Sequence, residues 1–226
     1  MENNISDITY AKAYRIYRGR GFAENAAKYS LLMIGLFLMS MLLLSTISYL
    51  SGEGFSDSDA ADTFVPVWGG MTAMLRMFQY FEKNSPGGKF LRTVKGGFDT
   101  FVRADIMNAA ECILTTLVFF AAAALLEAAG LIRLEYGINS CISAFIFTML
   151  FVAVSMLIKL MGNRVLAGVC FGTVFLIMIS AESAVMSLTG GKIGAPHIAV
   201  AAAAAVILPV SLRAVHTNYR KKYWDN

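Results

Sequence analysis

FVPVWGGMTAMLRMFQYF, residues 64–81, is the stretch on which the fold turns. A helix needs about 20 mostly apolar residues to cross a bilayer. This one is short and carries Pro66, Gly69, Gly70, Arg76 and Gln79. Its neighbours are clear-cut: LLMIGLFLMSMLLLSTISYL at Leu31–Leu50 comes before it, and a long apolar run from Ile106 to Ala129 comes after. If residues 64–81 cross, the loop behind them returns to the side of the N-terminus. If they do not, that loop and everything after it change sides.

The basic residues decide the matter. With 64–81 counted, six spans are expected: Leu31–Leu50, Phe64–Phe81, Ile106–Ala129, Ile138–Met161, Val165–Leu188 and His197–Val215. One side then holds Lys12, Arg15, Arg18, Arg20 and Lys28 in the first segment, and Lys83, Lys89, Arg92, Lys95 and Arg103 in the second. It also holds Lys159 and Arg164, and finally Arg213, Arg220, Lys221 and Lys222. These are 16 of the 19 Lys and Arg residues. The other side holds Arg133 and Lys192, and Arg76 lies within a span. Short cytoplasmic loops retain Lys and Arg during insertion. The pattern therefore predicts an all-α, polytopic membrane protein with both termini cytoplasmic, and an odd number of spans would scramble it.

Composition agrees. The chain of 226 residues is 57% hydrophobic and 15% charged, against about 25% charged in soluble domains. Six spans leave no room for a separate globular domain. The net charge of +4 reads as the cytoplasmic flank charge of a membrane protein, not as a nucleic-acid footprint. The expected location is an inner or plasma membrane. Thirty largely polar residues precede the first span, which is too long for a cleavable signal and is expected to stay as an anchor.

Three parts are expected: a cytoplasmic amphipathic segment over 1–30, a six-span domain over 31–216, and a basic tail over 217–226. Tyr10, Tyr14 and Tyr17 fall on one helical face, with Lys12, Arg15 and Arg18 displaced from it. This predicts an interfacial helix ended by Gly19 and Gly21. The loop 82–105 has a strong turn at Ser85-Pro86-Gly87-Gly88, then a helical apolar repeat interrupted by Gly96 and Gly97. Five consecutive alanines, Ala201–Ala205, predict close helix packing in the last span, and Pro209 predicts a kink.

No catalytic motif is visible, and no cofactor is implied. Cys112, Cys141 and Cys170 lack metal-ligand spacing. His197 and His216 stand at opposite ends of one span, so a metal site using both is excluded. An ionisable group within a span is a functional candidate. Glu182, Glu111 and Arg76 therefore form a possible intramembrane polar site. Each also has a plainer reading: a hydrogen bond to a neighbouring helix, a pairing such as Glu111 with Arg76 or Arg103, or snorkelling of Arg76 to the headgroups. Ser180, Ser183 and Ser187 make the stretch around Glu182 polar.

The order of parts, and KFLRTVKGGFDTFVRADIMNA between spans two and three, resemble the type-2 ATP-binding-cassette permeases. The local match is Phe90-Leu91-Arg92-Thr93, in the place where that family has an aromatic-Leu-Arg-Thr/Ser run before a coupling helix. The resemblance implies a cytoplasmic coupling helix seated on a separate ATPase subunit, where ATP hydrolysis would occur. Phe90, Leu91, Val94 and Phe98 would be its apolar knobs, and Arg92 and Lys95 would meet acidic residues of the ATPase. It also implies a second permease copy or a homologous permease chain, an exporter function, and no enzymatic activity in this chain. Two readings stay open beside it: a substrate-binding integral subunit of a vitamin-uptake system, and a secondary transporter using Glu182.

Overall fold

The computed structural model describes residues 8–51, 57–78, 96–158, 160–161 and 164–222. Among them the chain forms seven α-helices and no strand. They are α1 (Tyr10–Arg18), α2 (Phe22–Ser51), α3 (Asp57–Phe78), α4 (Gly97–Ala128), α5 (Ile138–Ile158), α6 (Arg164–Leu188) and α7 (Ala195–Lys222). Five stretches are long and apolar enough to cross a membrane: Phe22–Ile47, Gly97–Ala128, Ile138–Ile158, Val165–Leu188 and Ala195–Arg220. That is the construction of a multi-pass membrane protein. The expected second span falls on α3, whose apolar stretch is shorter, Phe64–Leu75.

The weak hydropathy of α3 has a packing cause. Ala61, Val65 and Ala73 have no exposed surface, and α3 lies against α4 and α5 with a lighter contact to α6. A Cβ built on Gly69 would fall on the Phe120 ring, and one on Gly70 would fall on the Phe175 ring. The glycines are there because aromatic side chains occupy that space. A helix wrapped by protein does not need the Leu-rich surface that α2 presents.

Helix α5 is the centre. Of its apolar window 61% is buried, against 17% in α2, α6 and α7. The outer faces of those three carry exposed Leu42, Leu43, Val169, Leu176 and Val206. So much exposed apolar surface suits hydrocarbon and not water. Helices α5 and α7 pack most extensively, and they run parallel, because His197 meets Ser143 while Ser211 meets the Ala153 carbonyl at 2.8 Å. The seam of α7 repeats every seven residues: His197, Ala204 and Ser211, then Val215, are buried. Small residues let the backbones approach. Pro209 lies within α7 without ending it.

The ends are made by specific caps. Thr9 Oγ1 accepts the Lys12 N–H at 3.4 Å, and Gly19 at φ 74° closes α1. Helices α4 and α6 both finish in a left-handed glycine with paired return bonds. Leu131 N–H reaches Leu126 O, and Gly191 N–H reaches Met186 O, each at 2.9 Å. Between α4 and α5 the chain is fastened down: Glu127 accepts the Leu134 N–H at 2.8 Å and Asp62 accepts the Glu135 N–H at 2.7 Å.

Two features go beyond the sequence expectation. The expected loop helix before Gly96 lies outside the described residues. Gly96, at φ 78°, is the start signal of α4, which runs unbroken for 32 residues through the expected loop and span. The buried tyrosines of α1 also face protein: Tyr14 and Tyr17 are buried against the first turns of α4, while Tyr10 is half exposed.

Candidate functional site

At the end of the bundle that carries most of the basic residues, α1, α4 and α7 converge. Tyr14 has no exposed surface. Its hydroxyl donates to Glu111 Oε2 and accepts from Asn25 Nδ2 at 3.0 Å. One turn back on α4, Asn108 Oδ1 accepts from Arg18 Nε at 3.0 Å. Arg103 donates to the Ile8 carbonyl. Phe101 stands edge-on between Tyr17 of α1 and Tyr219 of α7, with centroids 5.9 Å apart on each side. His216 Nε2 lies 2.9 Å from Asp105 Oδ2. The first four turns of α4 are therefore clasped on two sides, with Glu111 at the inner end of that clasp.

Glu182 belongs to the other end. It is 6% exposed on α6. Ser180, Ser183 and Ser187 are exposed on the remaining faces of that helix and do not surround it. The side chain nearest to its carboxyl for hydrogen bonding is Ser143 of α5. Ser143 in turn sits 3.2 Å from His197 Nε2. The imidazole is oriented by its other nitrogen: Nδ1 accepts the Gly194 N–H at 3.3 Å. Gly194 precedes the first residue of α7 and His197 is the third, so His197 fills the place that Glu or Gln takes in a capping box. With Nδ1 accepting, Nε2 carries the proton and donates to Ser143 Oγ, leaving the Ser143 hydroxyl to donate to Glu182. Three helices are joined through this chain, and Ser143 and His197 have no exposed surface.

Glu182 also lines a narrow groove between α3, α5 and α6, with room for little more than one water molecule. Pro66 and Gly70 form one wall, and Phe147, Thr148 and Phe151 form another. Phe175 and Met178 complete it. Phe151 and Phe175 are tilted at 5.4 Å between centroids.

The candidate residues thus separate. Glu182 and Glu111 lie at opposite ends of the bundle, so the structure does not bring them together. Arg76 is in the last turn of α3, and its side chain lies outside the described residues. Phe90, Leu91, Arg92, Val94 and Lys95 also lie outside them, whereas Phe98 is in the first turn of α4 and half-buried. Among the described residues no group of three or more His, Cys, Asp or Glu side chains could hold a metal. Sequence reasoning missed Ser143 and His197 as partners of Glu182. A capping-box reading of Gly194-Ala195-Pro196-His197 would have fixed the histidine, but not the residue it touches on α5. Comparison with protein-family models, with curated proteins and with solved structures finds no match to this chain.

Proposed function

We propose that this chain is the membrane-spanning permease subunit of an ATP-driven ABC transporter, probed most simply as an exporter. In this reading α3 is the second of six spans, and the end rich in Lys and Arg is cytoplasmic in an inner or plasma membrane. A second copy or a homologous chain completes the pathway, and ATP is hydrolysed on a separate subunit. The observation that carries the reading is the continuity of α4 with its clasp. Gly96 opens directly into a 32-residue helix, whose first turns hold α1 through Tyr14–Glu111 and Arg18–Asn108 and hold α7 through Asp105–His216. Force applied to residues 82–95 by a partner would move α4 as a rod, with α1 and the end of α7 following. A loose loop would dissipate the same motion.

The test is co-purification in mild detergent, comparing the native chain with Phe90→Asp and Leu91→Asp. An ATPase subunit is expected with the native chain and lost from both variants. A folded native chain that brings down no ATPase contradicts the reading. A transporter that works without an ATPase, with Glu182 as its ion-carrying group, is the second reading. The Glu182–Ser143–His197 chain beside a groove favours it.

A further inference from the structure

The narrow groove beside Glu182 leaves room for water and for nothing larger. Its lining follows α6 from Glu182 back to Phe175, about two turns of helix. Phe147 and Phe151 of α5 are 5% and 1% exposed and so fixed in place. On the α3 side, a Cβ built on Gly70 would already fall on the Phe175 ring. A water in such a space needs about two to four polar partners to stay there. The described lining offers two polar side chains, Glu182 on α6 and Thr148 on α5.

Glu182 is nine-tenths buried. A carboxylate among phenyl rings and thioethers is costly unless a positive charge meets it. No lysine, arginine or histidine lines the groove among the described residues. The titratable groups on the helices packed around Glu182 do not supply the charge either. Asp62 of α3 brings a second carboxyl, and Cys141 of α5 is a buried thiol. His197 of α7 has its Nδ1 lone pair taken by the Gly194 N–H and its Nε2 set against Ser143. A second proton on that ring would have to break the Gly194 bond. A hard metal cation takes about six or more oxygen ligands, and the groove has neither the donors nor the room. A proton needs no room beyond the water that delivers it.

We propose that Glu182 is a proton-binding site, which takes up and releases one proton through a single water held between its carboxyl and the Thr148 hydroxyl. In uptake, a hydronium in the groove gives one proton to a carboxylate oxygen and is left as water. In release, the carboxyl returns that proton to the water. Ser143 and His197 are positioning residues: they hold the carboxyl in one orientation and keep their own protons. This names the ion of the second reading above, a transporter that works without an ATPase, and rests on that reading for its use in transport.

The test is infrared difference spectroscopy on the full chain in lipid nanodiscs, without an ATPase and without a transport assay. Its failure is therefore separate from failure of the co-purification. The native chain is expected to show a protonated-carboxyl C=O band that Glu182→Gln lacks. The band should fall as pH rises, in one reversible step, and should shift on transfer to deuterium oxide because water reaches the site. Sodium added at fixed pH should leave the midpoint of that step unchanged. Thr148→Val should slow the deuterium exchange about tenfold, since the water loses one of its polar partners. If Glu182→Gln does not fold, the Thr148→Val effect assigns the band, because Glu182 is the one carboxyl among the described lining residues. Absence of the band, a band indifferent to pH or to deuterium oxide, or unchanged exchange in Thr148→Val would each overturn the proposal. A midpoint displaced by sodium would also overturn it, while leaving Glu182 as the carrier of a different ion in the second reading.

Discussion

At the scale of single residues, the glycines of α3 give the sharpest case. Replacing a helical glycine by alanine ordinarily gains about 0.5–1 kcal/mol of backbone entropy. At Gly69 the new methyl would land on the Phe120 ring. Phe120 is 3% exposed and ringed edge-on by Phe119 at 5.5 Å and Phe145 at 6.1 Å, so it has nowhere to turn. Overpacking of this kind costs about 1–3 kcal/mol, which outweighs the gain. Gly69→Ala is expected to lower the melting temperature in detergent by a few degrees. Gly35→Ala, where nothing stands within 4 Å of the new methyl, is expected to leave it unchanged or raise it. Equal behaviour of the two variants would remove this account of why α3 is so poor in leucine.

Asp62 is a residue-scale case governed by pH. It sits at the start of α3, ahead of the apolar stretch. Burial first, and then the neighbouring Glu135 and Glu127 carboxylates, hold its carboxyl above the ordinary value of 3.8, against the pull of the Glu135 N–H and Ser140. The folded chain thus keeps this proton to higher pH than the unfolded chain. Its contribution to stability is full in acid and is lost as pH rises through the folded value. Asp62→Asn keeps an oxygen for the Glu135 N–H and removes the titration. The melting temperature of the native chain should fall more steeply than that of the variant as pH rises from about 4 to neutrality. Parallel pH profiles would show that Asp62 carries no such linkage.

At the scale of elements, α4 is the part with mechanical meaning. A proline at Val102 would remove one backbone hydrogen bond and clash with the preceding turn, costing about 3 kcal/mol and breaking the helix. The break would fall between Gly97 and the Glu111 clasp. In the proposed function, Val102→Pro leaves the loop free to hold the ATPase but disconnects it from the spans. The variant should still co-purify with the ATPase subunit, while the change in ATP turnover that the native permease imposes on that subunit disappears. Retention of that effect would show that α4 does not act as a rod.

Elements also show where sequence reasoning reached and where it stopped. The helical face of Tyr14 and Tyr17 and the stop at Gly19 were legible, because both are local. Which surface the tyrosines meet was not, since an apolar stripe reads the same against lipid as against a neighbouring helix. Glycines 96 and 97 look like an interruption in a window of sequence, yet a left-handed Gly96 is equally a helix start. The serines beside Glu182 were visible, but helix rotation turns Ser180, Ser183 and Ser187 outward. Its true partner, Ser143, is 39 positions away on another helix, and no periodicity within α6 points to it.

At the scale of the whole molecule, long apolar helices were the most legible feature, because hydropathy reports the affinity of a segment for hydrocarbon. Five stretches pass that test. The test is weakest for α3, where protein and not lipid surrounds Val65, Gly69 and Ala73. The distribution of charge supplies what hydropathy lacks. Arg18, Arg103 and Arg220 gather with α1 and the start of α4, while Asp62, Glu127 and Glu135 gather at the opposite end with Arg133 and Lys192. In the proposed function α3 makes a sixth crossing, which would return the basic segment to the side of both termini, where an ATPase could reach it.

The most direct measurement is the side on which that loop lies. A Lys89→Cys chain would be exposed to a membrane-impermeant maleimide in intact cells and again after the membrane is opened, with a Lys192→Cys chain as the external reference and the native chain, whose Cys112, Cys141 and Cys170 lie within helices, as background. With α3 crossing, labelling is expected at position 192 in intact cells and at position 89 only after opening. Labelling of position 89 in intact cells would contradict it, because the loop would then lie outside, α3 would not cross, and no cytoplasmic ATPase could engage Phe90 and Leu91.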